Sequence, residues 1–95
     1  MHVLALDLDL HLPECRSLKA KRAVLRPITD GLRARYRVAV AEVGEQDRWQ
    51  RARVGVAVVG ASAGHVEDVM DEVERFVWAQ AGVDVLSADR TWLET

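Results

Sequence analysis

The sequence has little of what anchors a small protein covalently or in a membrane. It contains a single cysteine, and no apolar run is long enough to cross a bilayer. These absences argue against a disulfide framework, a multi-cysteine zinc site and a transmembrane helix. The first residues also lack the basic segment of a secretory signal peptide. We therefore expect a cytoplasmic protein without a membrane partner.

Glycine, proline and aromatic residues are also scarce, with 6 glycines, 2 prolines and 5% aromatics in 95 residues. The remaining composition, 49% hydrophobic and 29% charged, is ordinary for a globular protein and argues against disorder. A chain of this length corresponds to one domain with a small core. We therefore expect residues 1–95 to form a single domain.

Alternation of apolar and polar residues predicts four strands. Over residues 2–12 every second residue is leucine, which is typical of a strand with one buried face. A short apolar segment at 38–43 and an alternating segment at 50–60 are separated by a polar turn and predict a hairpin. A last strand is expected at 83–93.

Two amphipathic stripes predict the helices. The first helix begins after the N-cap Ser17 and extends to Tyr36, and we expect it to continue through Pro27 with a kink. The second helix begins after the N-cap Ser62, and its apolar stripe extends to Gln80.

The element order is therefore β-α-β-β-α-β. Two helices with one apolar face each pack most economically on the same face of a sheet. Right-handed crossovers then give an α+β, ferredoxin-like sandwich with an antiparallel sheet in the order 4-1-3-2. In this arrangement one face of the sheet has no helix over it.

The net charge of −2 conceals a strong asymmetry. The first helix and its flanks are basic, whereas the second helix is acidic. The basic residues are Arg16, Lys19, Lys21, Arg22, Arg26, Arg33, Arg35 and Arg37. Lys19, Arg22, Arg26, Arg33 and Arg37 have the spacing of one helical stripe.

Three interpretations of this stripe remain open. It could neutralise phosphates of a nucleic acid, it could bind an acidic protein, or it could be a solvated face that pairs with Glu67, Asp71 and Glu74 of the second helix. Trp49, which lies beside arginines at the hairpin, could stack on a base or on a partner, or it could fold back over the hairpin.

A second candidate cluster lies on the open side of the first strand. Asp7, Asp9 and His11 project the same way at two-residue spacing, as a metal site or an acid–base pair would require. The alternative is cross-strand pairing with Arg51 or Arg53 of the third strand, which we favour. No motif for a cofactor or for catalysis accompanies these residues, so we expect neither a cofactor nor an enzyme.

The aromatic and sulfur side chains give weaker hypotheses. We expect Trp78 and Trp92 to be partly buried anchors. Cys15 precedes a helix and lies beside Arg16, which favours a reactive thiol, but no histidine is placed as its base and we expect an incidental cysteine.

Three segments resemble a known family. They are PECRSLKAKR at 13–22, VAEV at 40–43 and DRWQRA at 47–52, and together they resemble the YlxP-like family of small bacterial proteins, domain of unknown function 503. The genes of that family often lie among translation and ribosome-maturation genes, which implies a connection with the ribosome or with RNA. The resemblance implies no catalytic residues, and Cys15 stands where the family is expected to have a small residue.

These observations favour a non-enzymatic module that contacts ribosomal RNA or a ribosome-associated factor through its basic first helix and Trp49. The alternative is a homodimeric protein-interaction module without nucleic acid. We also expect a homodimer, formed either by the edge strand, through Val38, Val40 and Glu42, or by the open face of the sheet.

Overall fold

The computed structural model describes residues 1–93, so Glu94 and Thr95 of the expected domain lie outside the described residues. The chain forms β1 (His2–His11), α1 (Leu18–Tyr36), β2 (Ala39–Gly44), β3 (Arg51–Gly60), α2 (Ala63–Trp78) and β4 (Asp84–Leu93). All strand pairs are antiparallel, and the sheet order is β2-β3-β1-β4. This is the expected 4-1-3-2 order counted from the other edge, so the predicted α+β, ferredoxin-like fold is confirmed.

The core lies between the two helices and one face of the sheet. The leucines of β1 that alternate along the sequence all point into it and are at most 1% exposed, and the alternate residues of β3 are at most 6% exposed. Each helix adds one apolar stripe, with Leu25, Ile28 and Leu32 from α1 and Val66, Met70, Val73 and Val77 from α2. Burying one such side chain stabilises the fold by about 1.5–3 kcal/mol.

Both helices begin as the sequence predicts. The Ser17 hydroxyl accepts a hydrogen bond from the Ala20 amide at 3.0 Å, and the Ser62 hydroxyl accepts one from the His65 amide at 3.3 Å. α1 runs without a break through Pro27. The helices approach closely at Gly31, where a Cβ atom would lie 2.7 Å from Phe76 Cζ, so a larger residue there would displace the Phe76 ring.

Some expectations about single elements differ from the structure. The second, third and fourth strands begin at Ala39, Arg51 and Asp84, each one residue later than predicted. Trp78, the last residue of α2, is 62% exposed, so it is not the partly buried anchor that we expected. Trp92, on the edge strand β4, is 39% exposed and packs edge-on against the His2 ring, so it is partly buried as predicted.

The sheet therefore has one helix-covered face and one face without helices, called the open face below. Leu4, Val54 and Val40 are examples of the covered face, whereas Asp7 and Ala57 are examples of the open face. None of the described helices combines the length and apolarity needed to span a bilayer.

Candidate nucleic-acid interface

The basic stripe of α1 lies on the surface. Its apolar residues point into the core, so the residues between them must project outward. Lys19, Arg22, Arg26, Arg33 and Arg37, called the basic face below, are all exposed. Arg16, just before the helix, and Arg35, near its end, are exposed as well.

The acidic residues of α2 do not compensate this charge. Arg90 of β4 binds two of them instead, with its Nη2 atom 2.8 Å from Asp71 Oδ1 and its Nε atom 3.1 Å from Glu74 Oε1. The hydrogen bond to Glu74 raises the pKa of Arg90 above its ordinary value. Pairing between the two helices, which was one interpretation of the stripe, is absent among residues 1–93.

Most of the basic residues therefore lack an ionic partner. Arg33 is 3.3 Å from Asp30 Oδ1, and the Arg35 guanidinium lies 5.1 Å from the centre of the Phe76 ring, a cation–π contact. Within the part of the chain that the structure describes, the following have neither an ion pair nor a side-chain hydrogen bond: Arg16, Lys19, Arg22, Arg26 and Arg37.

Lys21 belongs to a different environment from the one expected. Its side chain is 3% exposed and its ammonium group donates to the Glu45 carbonyl at 2.7 Å. The same ammonium group lies 2.9 Å from Glu42 Oε2. This oxygen accepts no hydrogen bond among the described residues, so the ion pair with Lys21 alone balances its charge. Lys21 is thus a structural residue and cannot reach a phosphate. Its spacing of four residues from Leu25 and seven from Ile28 already placed it on the buried side.

The hairpin loop is held beside the start of α1. The Lys21 bond fixes it from the helix, the Leu12 amide donates to the Gln50 carbonyl at 2.9 Å, and Gln50 Nε2 donates to the Pro13 carbonyl at 3.3 Å. Between helix and loop lies a cleft of about 500 Å³, with Arg22 and Arg26 on one wall and Asp47 on the other. The fold therefore brings the hairpin and the basic face together at one end of the molecule.

Trp49 is half exposed on this loop, at 50%. It lines a shallow hollow together with His11, Arg48 and Arg51. Arg48, whose side chain is 65% exposed, is paired with Glu45 at 3.2 Å and was not singled out from the sequence. The exposed indole and its arginines form the kind of surface on which an unstacked base can lie.

The acidic residues of the open face are engaged with arginines. Asp9 accepts hydrogen bonds from Arg51 at 2.7 and 2.9 Å, and Asp7 is paired with Arg53. These hydrogen bonds raise the pKa of Arg51 and of Arg53 above their ordinary values. His11 Nδ1 lies 3.4 Å from Asp84 Oδ2. The cross-strand pairing that we favoured is confirmed, and residues 1–93 contain no group of three potential ligands placed to hold a metal ion.

Cys15 is also withdrawn from the surface, being 2% exposed in the core cluster. A buried thiol has no access to a substrate, so the arrangement gives it no nucleophilic role.

The side chains expected at a strand-edge dimer are engaged within the chain, so only the backbone of β2 is left to make that contact. Val38 and Val40 are 8% and 9% exposed and belong to the core, and Glu42 is bound by Lys21. The expectation that the edge is unprotected is wrong: Arg33 Nη2 donates to the Val40 carbonyl at 2.7 Å, and the register shifts between Glu42 and Gly44. A short, bulged strand with an occupied acceptor is a poor template for strand addition.

Comparison with known proteins gives one family and one relative. The family model described as "Protein of unknown function (DUF503)" matches residues 3–90. A protein of Bacillus subtilis (strain 168), named "Uncharacterized protein YlxP", is 39% identical over 61 residues. That alignment covers 64% of this chain and 66% of the Bacillus protein, slightly less than two thirds of its length.

Proposed function

The chain belongs to the DUF503 family, and we propose that it is a non-enzymatic module that binds RNA through the basic face of α1. The observation that carries this proposal is the set of five cationic side chains around α1 that are exposed and lack an ionic partner within residues 1–93. Pairing with α2, the interpretation that would have made this stripe part of the fold, is not what the structure has, because Arg90 binds Asp71 and Glu74 instead.

The dimensions of the basic face suit a nucleic-acid backbone. From Lys19 to Arg37 the helix rises about 27 Å, at about 1.5 Å per residue, so one side of it can contact several successive phosphates. The first turn of α1 contains no acidic residue, although acids are favoured there by the helix dipole. Arg16 and Lys19 stand there instead, and the dipole and the cations both attract an anion.

The mode of binding differs from that of a sheet that stacks bases on aromatic residues. Among the open-face positions of the central strands are Asp7, Asp9, Arg53, Gly55 and Ala57, and none of these positions carries the phenylalanine, tyrosine or tryptophan of such a sheet. Trp49 supplies a half-exposed indole on the hairpin loop, and this loop borders the cleft that Arg22 and Arg26 line. The family's gene neighbourhood supports ribosomal RNA among possible RNA ligands, with a ribosome-associated protein as the alternative partner.

The test is the affinity for a labelled ribosomal RNA fragment, measured by fluorescence anisotropy. Five phosphate contacts to an unpaired strand predict a salt slope of about −3.5, so raising salt from about 50 to 200 mM weakens binding roughly 100-fold. The triple change Lys19→Glu, Arg22→Glu and Arg26→Glu should abolish measurable binding.

A matched pair of variants separates local contact from overall charge. Arg22→Glu and Arg75→Glu each change the net charge by the same amount on an exposed helical position. We expect Arg22→Glu to weaken binding about tenfold and Arg75→Glu to change it less than twofold. RNA binding that survives the triple change, or that falls equally in both single variants, would overturn the proposal, and ribosomes that retain the triple variant would point to a protein partner.

A further inference from the structure

We infer that the open face of the sheet binds the open face of a second copy of this chain, giving a twofold dimer with its helices outside. The covered face of the sheet is closed by α1 and α2, whereas the open face has no second layer. The open face lies on the other side of the sheet from α1 and its basic face, and it meets the proposed RNA-binding surface only at Arg51, beside Trp49.

The apolar half of the open face is flat at its centre and hydrophobic at its rim. Ala5, Ala57, Ala39 and Ala41 lie side by side on three strands and line a shallow groove of about 500 Å³. Around them the large apolar side chains are exposed, with Val43 at 53%, Val59 at 65% and Leu93 at 51%. A centre of small side chains allows a second sheet to approach to the ~10 Å spacing of packed sheets, and the rim then becomes buried.

The area is sufficient for a specific dimer. Three strands of about 33 Å and the six-residue β2 of about 20 Å, about 4.8 Å apart, give the open face roughly 570 Å². Two copies therefore bury roughly 1,100 Å² in total, which exceeds the roughly 1,000 Å² expected of a specific interface and lies above the range of incidental contacts.

The charged half of the open face is complementary to itself. Arg51 and Arg53 lie on β3, and Asp7 and Asp9 lie on the adjacent β1. A twofold axis parallel to the strands and between β1 and β3 places the arginine-bearing strand of each copy over the aspartate-bearing strand of the other. Each pair can then be shared across the interface, so that no like charges oppose each other along these two strands.

The edge of the sheet is the competing surface for self-association, and it is already occupied. The Arg33 guanidinium on the Val40 carbonyl and the bulge after Glu42 leave β2 little backbone to pair with a second copy. A face-to-face dimer also leaves both basic faces exposed on its outer sides, so it doubles the proposed RNA-binding surface without covering it.

Sedimentation equilibrium of the full chain at tens of micromolar tests this inference. We expect twice the chain mass of 10.6 kDa. Ala57→Glu, at the centre of the open face, should raise the dissociation constant at least tenfold, whereas Ala34→Glu, the same change on the exposed side of α1, should leave it unchanged. Circular dichroism shows whether each variant is folded.

Val59→Lys provides a second variant, because that side chain is 65% exposed in the single chain and its replacement leaves the core intact. It too should dissociate the dimer. A monomeric wild-type chain, or a dimer that both folded open-face variants leave intact, overturns the inference. A dimer that tightens when Arg33→Ala frees the Val40 carbonyl assigns the contact to the β2 edge and overturns the inference equally.

Discussion

The two helices pack on the same sheet and both are amphipathic, yet acidic residues of α2 have an ionic partner, whereas most basic residues of α1 have none among the described residues. On α2, Asp71 and Glu74 are bound by Arg90. On α1, Lys19, Arg22 and Arg26 face solvent without an ionic partner within the described chain. The difference indicates that Asp71 and Glu74 belong to the fold, whereas these three cations of α1 are available to a ligand.

The contrast also exists within α1. Lys19 and Lys21 are two residues apart, but Lys19 is exposed and Lys21 is buried among Glu42, the Glu45 carbonyl and the core. Residue type therefore does not identify a binding residue, and only the lysine on the outward side of the helix can meet a phosphate.

The largest expected effect on stability comes from replacing Lys21, the buried one of these two lysines. Lys21→Met removes the charge that balances the Glu42 carboxylate and the hydrogen bond that fixes the loop. We expect it to lower the free energy of unfolding by about 2–3 kcal/mol, which corresponds to a fall in Tm of roughly 10–20 °C. Thermal and urea unfolding measure it.

Lys19→Met is the control, because it makes the same chemical change on the exposed side, where substitutions stay within about 0.5 kcal/mol. Equal stability of the two variants would remove the distinction between a structural and an available lysine on α1.

A tenfold change in RNA affinity is expected from replacing one of the two exposed tryptophans. Trp49 lies on the hairpin loop in a hollow with His11 and Arg51, whereas Trp78 lies at the end of α2 near Asp71, Glu74 and Arg90. Since stacking on an aromatic ring contributes about 1–3 kcal/mol per base, Trp49→Leu should weaken RNA binding about tenfold. Trp78→Leu is matched in exposure and should have no effect. A larger loss for Trp78→Leu would place the RNA on the α2 side of the molecule.

The smallest effect on stability is expected from removing the ion pairs that Arg90 forms with the acidic residues of α2. Arg90→Gln removes two partly exposed ion pairs, so the free energy of unfolding should fall by no more than about 1 kcal/mol. RNA affinity should be unchanged, because the basic face does not involve Arg90. If the variant instead bound RNA several-fold less tightly, the two helices would share one binding surface, and the contrast between them would be lost.

Periodicity identified most of the fold because each element carries its own pattern. The alternating leucines of β1 and the capped stripes after Ser17 and Ser62 needed no knowledge of their neighbours. The pairing of Asp7 and Asp9 with Arg53 and Arg51 was also predictable, because antiparallel register follows from the hairpin and the sheet order. Lys21 could have been assigned to the buried side from its spacing to Leu25.

The sequence by itself thus determined the elements, their buried faces and the concentration of positive charge on α1, because these depend on residues a few positions apart. Only the tertiary structure decided which charges have partners. Arg90 donates a hydrogen bond to Glu74, 16 residues away in the sequence, and Lys21 donates one to the Glu45 carbonyl, 24 residues away. Such pairs form when the sheet order and the placement of the helices bring distant segments together. For that reason the available cations of α1, the occupied edge of β2 and the uncovered open face emerged only from the folded chain.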